Sequence, residues 1–203
     1  MIKHPPWFTE LRKIPFNNKP WLIIGKGPSY SNLLKNPEIL RNYNTLGLNH
    51  VSYNFRTNIA LFVDLEVLSQ KIQADWILGP QHPHIKFKPI SKTIAELTCL
   101  PTNFLQYRLS TWKAYNHEAH GNKLYAKQNP IIKVKFFSAE AAFQILGYLG
   151  VKEIHTIGID GGTAYARQFK KLKPLTNGQN TFDKQFSMIE STCKCFNINW
   201  KKL

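Results

Sequence analysis

Trp21-Leu22-Ile23-Ile24-Gly25-Lys26-Gly27-Pro28-Ser29 is the stretch that decides the fold. Its uninterrupted apolar start matches a strand buried on both faces of a parallel sheet. Gly25, Gly27 and Pro28 then force a sharp turn, and Ser29 is placed to cap a following helix. A strand, a glycine turn and a helix start together form a cradle for a phosphate. Backbone N–H groups and the positive end of the helix dipole face the anion, and the glycines let a ligand approach the backbone. The dinucleotide fingerprint is not met, because Tyr30 stands where a third glycine is required. The Walker loop is not met either, because no Gly-Lys-Ser/Thr ends the turn. An ordinary tight strand-to-helix turn also fits these residues, so the rest of the chain has to discriminate.

Working outward, Thr45-Leu46-Gly47-Leu48-Asn49 reads as a second strand, ending in Asn49-His50. Asn58-Ile59-Ala60-Leu61-Phe62-Val63 reads as a third, ending in Asp64. In an open parallel sheet, ligands bind outside the carboxyl ends of the strands, so these ends share one rim with Gly25-Lys26-Gly27. Asp64 also suits the N-cap of a helix predicted over Leu65–Gln73. A later strand, Ile154-His155-Thr156-Ile157-Gly158-Ile159, ends in an acid and a flexible turn, Asp160-Gly161-Gly162. His155 lies inside that strand and reads as a core or face residue. Ahead of it, Ser138 caps a predicted helix with Glu140 in the first turn. Ala141, Ala142, Ile145, Leu146 and Leu149 form its apolar face, and Gly150 stops it. Shorter helical stretches are expected at Tyr30–Leu34 and from Asn36-Pro37 to Asn42. A last helix starts at Thr181 or Asp183 and runs through Phe186, Ile189 and Cys193, before a closing strand at Asn197–Trp200.

A chain of 203 residues, 43% of them hydrophobic, matches one domain with a real core. No run of apolar residues is long enough for a membrane span, and Met-Ile-Lys-His-Pro-Pro lacks the apolar core of a signal peptide. Cys99, Cys193 and Cys195 form no CxxC pair or disulfide framework, which points to a reducing cytoplasm. The formal charge is +15. Residues 80–135 contribute net +7 and residues 165–203 net +6, whereas residues 136–164 are net −2. Such a balance favours an anionic partner: nucleic acid, phosphorylated glycan, acidic membrane surface or nucleotide. Residues 1–20 read as a proline-rich arm, with Pro5, Pro6, Pro15 and Pro20, anchored by Trp7, Phe8 and Phe16. Residues 79–91 read as a rigid surface loop with a strand at Ile85–Phe87. Its His82 and His84 lack the partners of a metal site. Residues 101–132 interleave aromatics with basic and polar groups (Tyr107, Arg108, Trp112, Lys113, Tyr115, His117, His120, Lys123, Tyr125, Lys127), which suits a lid or an acceptor-binding face.

Gly25-Lys26-Gly27-Pro28-Ser29, Gly47-Leu48-Asn49, Phe62-Val63-Asp64, and the block from Ser138 through Gly150-Val151-Lys152-Glu153-Ile154 to Gly158-Ile159-Asp160 together resemble bacterial sialyltransferases of glycosyltransferase family 42. They also resemble a wider related group of flagellin-modifying glycosyltransferases and a hydroxymethylpterin diphosphokinase. The resemblance covers roughly residues 21–65 and 135–200. It implies a single α/β domain over 1–203, Rossmann-like and doubly wound, with a mostly parallel sheet and a lid-like insertion at about 101–132. It also implies a cytidine-monophosphate sugar bound without a metal or other cofactor. The glycine turn, Gly25 to Gly27 with Pro28 and Ser29 behind it, would lie against the nucleotide. Lys26 stands where the family has Asn. Asn49 matches a strand-end Asn of the family, and Asp64 falls where a further Asn meets the reacting centre. Lys135, where the family has Arg, and Ser138 match residues that meet the nucleotide. Tyr165 matches one of two tyrosines that hold the leaving phosphate; the other falls on Gly161-Gly162. The family's general-base histidine, shortly before the final helix, has no counterpart, since no His follows His155.

The expected activity is transfer of a sugar from a nucleotide-activated donor, cytidine-linked, to an anionic acceptor such as a phosphorylated glycan or lipopolysaccharide. Gly25 to Ser29, Asn49, Lys135, Ser138 and the Asp160-Gly161-Gly162 turn seat the donor. Tyr165, with Lys26 or Lys135, stabilises the leaving phosphate, and Asp64 or His50 assists the acceptor hydroxyl; the lid histidines His117 and His120 are alternative bases. Three other functions fit the same residues. One is glycosyl transfer to modified DNA bases. Another is a pterin-type diphosphokinase with Mg²⁺ held by Asp64 and Asp160. The third is a non-catalytic nucleic-acid-binding protein.

Overall fold

The structure, a computed structural model, describes residues 6–64, 67–68, 70–81, 102–110 and 130–203. Eight strands form one sheet in which every pairing is parallel. They are β1 (Trp21–Ile24), β2 (Asn44–Leu48), β3 (Thr57–Leu61), β4 (Ala74–Gln81), β5 (Phe104–Ser110), β6 (Ile131–Lys133), β7 (Glu153–Ile157) and β8 (Asn199–Lys202). Their order is β6-β5-β4-β3-β2-β1-β7-β8. The chain winds outward from β1 to β6, returns past β1, and continues through β7 to β8. This is a doubly wound Rossmann-like α/β fold, with the strand order reversing between β1 and β7.

β1 explains why both faces are covered. Trp21 and Ile23 enter one core with α2 (Ser138–Tyr148) and α3 (Gln185–Phe196). Leu22 and Ile24 enter the opposite core with Tyr30 and Leu33 of α1 (Tyr30–Lys35). Alternation along an unbroken apolar strand places every second side chain on each face. The arm packs as expected: Phe8 is fully buried, and the Phe16 and Trp21 rings meet edge to face with centroids 5.0 Å apart. α2 ends as the sequence predicts, with Gly150 at φ +88°. The Gly150 and Val151 N–H groups close back on Gly147 and Leu146, each at 3.0 Å, the pattern of a left-handed helix stop. Asn197, at φ +53°, ends α3 in the same way.

Three expectations need correction. No α-helix forms among the described residues of 65–73. Val67 and Leu68 make one 3-10 turn, and the chain then extends into β4. The Asp64 carbonyl accepts the Val67 N–H at 3.2 Å in a tight turn. Gly79, Pro80 and Gln81 belong to β4 and not to a surface loop. Phe104–Ser110, read as the start of a lid or acceptor-binding insertion over about 101–132, is the interior strand β5. Its Tyr107 is fully buried and donates its hydroxyl to the Phe62 carbonyl at 2.8 Å. The strand expected at Ile85–Phe87, the His82/His84 pair, Cys99, and the lid residues Trp112 to Lys127, with His117 and His120, lie outside the described residues. Among the described residues no helix is long and apolar enough to cross a membrane.

Candidate functional site

A cleft of about 300 Å³ opens at the carboxyl ends of β1, β2, β3 and β7. That is the position at which a doubly wound sheet splits to take a ligand. Ten of the sequence-predicted residues line it: Gly25, Lys26, Gly27, Asn49, His50, Asp64, Ser138, Asp160, Gly161 and Tyr165. Pro28, Ser29, Lys135 and Gly162 stand behind or beside its lining.

The glycine turn is built differently from a phosphate cradle. The Gly25 and Gly27 N–H groups donate to the Ile157 and Gly158 carbonyls, each at 2.8 Å. The Ser29 N–H donates to Asp160 Oδ2 at 2.8 Å. The start of α1 therefore faces the protein's own carboxylate. Ser29 does not cap α1 through its side chain; its Oγ accepts the Gly158 N–H at 2.7 Å. The glycines serve this docking of two turns. A Cβ on Gly25 would lie 2.2 Å from the Gly158 oxygen, and one on Gly27 would lie 2.5 Å from Asp160 Oδ2. The β1 and β7 turns are thus fused into one rigid lip.

Opposite that lip, the start of α2 is organised by Glu140 and not by Ser138. Phe137 is the N-cap. The buried Glu140 carboxylate accepts the N–H groups of Lys135 at 2.5 Å, Phe136 at 3.1 Å and Phe137 at 3.3 Å. Burial raises the Glu140 pKa above the ordinary carboxylate value, and these hydrogen bonds pull it partly back. Ser138, freed from capping, accepts a hydrogen bond from Asn49 Nδ2 at 3.1 Å. Asn49 holds φ +52°, a conformation Asn tolerates better than most residues, and this turns its amide toward α2. Lys135 contributes its backbone N–H to Glu140, while its Nζ lies 5.1 Å from the Phe136 ring centroid.

One wall of the cleft is aromatic. Phe137 and Phe182 have centroids 5.1 Å apart, and Phe182 and Tyr165 5.3 Å apart. Lys26 Nζ lies 4.5 Å above the Tyr165 ring. The Tyr165 pKa is raised, first by burial and then by the negative charge of Asp64. Its phenol accordingly stays protonated as a hydrogen-bond donor through neutral pH. The Asp160-Gly161-Gly162 turn is braced from α3's side, where Asp183 Oδ1 accepts the Gly162 N–H at 3.1 Å. Thr181 supplies the cap there, its Oγ1 accepting the Asp183 N–H at 3.2 Å.

The sequence reading missed Phe136, Phe137, Phe182, Asn177 and Gln185 in the lining. The Phe136-Phe137 pair directly ahead of a predicted helix was a usable signal. Asn177 was not readable: it reaches the site because its Nδ2 donates to the Phe136 carbonyl 41 positions away, at 2.7 Å. Among the described residues no three His, Cys, Asp or Glu side chains group to hold a metal ion.

The fold and this cleft define a Rossmann-like α/β protein with a ligand-sized cleft at its topological switch point. Comparison with protein-family models, with curated proteins and with solved structures returned no match.

Proposed function

We propose that the protein is a glycosyltransferase that moves a sugar from a nucleotide-activated donor, cytidine-linked, to an anionic acceptor in the cytoplasm, without a metal. The observation that carries this reading is the convergence, in one cleft at the switch point, of an aromatic wall, a lysine beside a protonated tyrosine, and an exposed carboxylate. The aromatic wall suits the flat faces of a nucleotide. In the reaction, the acceptor oxygen bonds to the anomeric carbon and the bond from that carbon to the phosphate oxygen breaks. Lys26 and the Tyr165 hydroxyl meet the charge that develops on the leaving phosphate. Asp64 takes the acceptor's proton; His50 lines the same cleft beside it.

The acceptor side rests on charge. Between the β7 turn and α3, Ala166 and Phe169 are buried and Leu172 is half-buried, whereas Arg167, Lys170, Lys171 and Lys173 are exposed. An inward residue at every third position is the period of a 3-10 turn, which Arg167–Phe169 forms. The cations are thereby displayed next to Leu172, a residue of the cleft lining. A phosphorylated glycan is the acceptor this ridge suits.

The test is a thermal-shift panel of CMP, UDP, GDP and ATP, each with and without Mg²⁺. A ligand at a hundred times its dissociation constant stabilises by about 2.7 kcal/mol. A shift with CMP that is indifferent to EDTA is the expected outcome. A shift confined to ATP with Mg²⁺ replaces the transferase with a kinase. DNA binding that falls steeply with salt, with no nucleotide shift, replaces it with a nucleic-acid-binding protein.

A further inference from the structure

Gln185, the first residue of α3, is only 5% exposed, yet it lines the cleft. Its carboxamide makes no hydrogen bond to any described residue. Asn49, whose Nδ2 is committed to Ser138, leaves Oδ1 buried with no hydrogen-bond partner among the described residues. Leaving a buried acceptor such as Asn49 Oδ1 unmet costs about 1–3 kcal/mol. α2 packs against both β2 and α3, so the two amides flank its start. That start also offers the N–H groups of Ser138 and Ala139, which have no intrahelical acceptor in a first turn.

The chemistry wanted there is neutral. The Glu140 carboxylate already faces the positive end of α2 from within the protein, so an added anion at that end meets a like charge. Phe137 and Phe182, in the same lining, offer apolar ring faces. A planar, uncharged ligand group with donors and acceptors along its edge meets all of these features. Lys26 is the cation at the Tyr165 end of the same wall; Lys135 and Lys184 lie over the Phe136 ring, 5.1 and 5.9 Å from its centroid.

We infer that Gln185 is a nucleobase-recognition residue: its carboxamide pairs bidentately with the hydrogen-bonding edge of the base, the pairing that Gln and Asn make with base edges elsewhere. Asn49 Oδ1 accepts a ribose hydroxyl proton, and the phosphate lies at Lys26 and Tyr165. The inference rests on the nucleotide-donor reading and adds to it the ligand's direction in the cleft and the residue that reads its base.

The experiment measures dissociation constants of CMP and of ribose 5-phosphate, which lacks the base, for the full-length protein, Gln185→Leu, Gln185→Glu and Lys26→Ala. Gln185→Leu is expected to weaken CMP at least tenfold and leave ribose 5-phosphate within twofold. Lys26→Ala is expected to weaken both. Unchanged ribose 5-phosphate binding shows that the site is still folded. Should Gln185→Leu unfold the chain, the isosteric Gln185→Glu, which loses the donating half of the pair, must weaken CMP at least threefold. CMP affinity unaffected by the Gln185 variants, or equal affinity of the native protein for CMP and ribose 5-phosphate, overturns the inference and leaves the donor reading standing. Absence of CMP binding to the native protein removes the donor reading and the inference with it.

Discussion

In the proposed transfer, Tyr165 concentrates the chemistry of the cleft in one hydroxyl. Its ring is fixed between Phe182 and Lys26, and burial together with Asp64 keeps its proton on. Tyr165→Phe removes only the oxygen. On the proposed function, turnover of the cytidine-linked donor is expected to fall by about 10²–10³, the cost of losing one donor to a developing oxyanion, with an unchanged melting temperature. Steady-state kinetics beside a thermal melt checks both, and full activity in the variant removes Tyr165 from the mechanism. Glu140 is the structural counterpart. Glu140→Ala strands the N–H groups of Lys135, Phe136 and Phe137, and a loss of about 2–4 kcal/mol in urea unfolding is expected. Glu140→Gln keeps an acceptor oxygen, and its loss is expected to be smaller.

At the scale of elements, the site depends on two turns meeting. Gly25 and Gly158 contact each other backbone to backbone: a Cβ on Gly158 would lie 2.3 Å from the Gly25 oxygen. Gly25→Ala pushes the β1 and β7 turns apart. It is expected to cost about 1–3 kcal/mol, as overpacking does, and, on the proposed function, to weaken nucleotide binding as well. Gly162 is the control. It has φ +65° but open space around its missing Cβ, so Gly162→Ala bears only the cost of a left-handed residue, about 1–2 kcal/mol. Nucleotide binding is expected to survive that change. Denaturant midpoints and titrations on the two variants separate a packing role from a conformational one.

Over the whole molecule, buried tyrosines set the alkaline limit. Tyr107 is fully buried, and its pKa is raised well above the ordinary tyrosine value, by burial first and Asp64 second. Tyr30 is raised mainly by burial too. In the unfolded chain these phenols ionise near pH 10, as tyrosine does. Above that pH the unfolded state loses protons that the folded state keeps, so stability is full below about pH 10. It then falls by up to about 1.4 kcal/mol per pH unit for each such tyrosine until the folded value is reached. Urea midpoints taken from pH 8 to pH 11, with phenolate absorbance followed in parallel, check this. Tyr107→Phe is expected to flatten the decline, and a midpoint unmoved by alkali rejects the burial argument.

The sheet's central strands were legible from residue order alone. An unbroken apolar run such as Trp21–Ile24 has only one comfortable place, inside a parallel sheet. The strands' polar terminators, Gly25-Lys26-Gly27, Asn49-His50, Asp64 and Asp160, are carried to one rim by strand direction, which needs no knowledge of distant contacts. β5 was not legible. Its Gln106 and Arg108 break the apolar pattern, and Tyr107 reads as polar until its hydroxyl is seen meeting the Phe62 carbonyl across the sheet. The roles inside the cleft were decided only in three dimensions. Asp160 occupies the start of α1, Glu140 rather than Ser138 secures α2, and Gln185 comes to the lining from a helix start far along the chain. Each depends on a hydrogen bond or a close approach between residues remote in sequence, and no local propensity encodes such a partner.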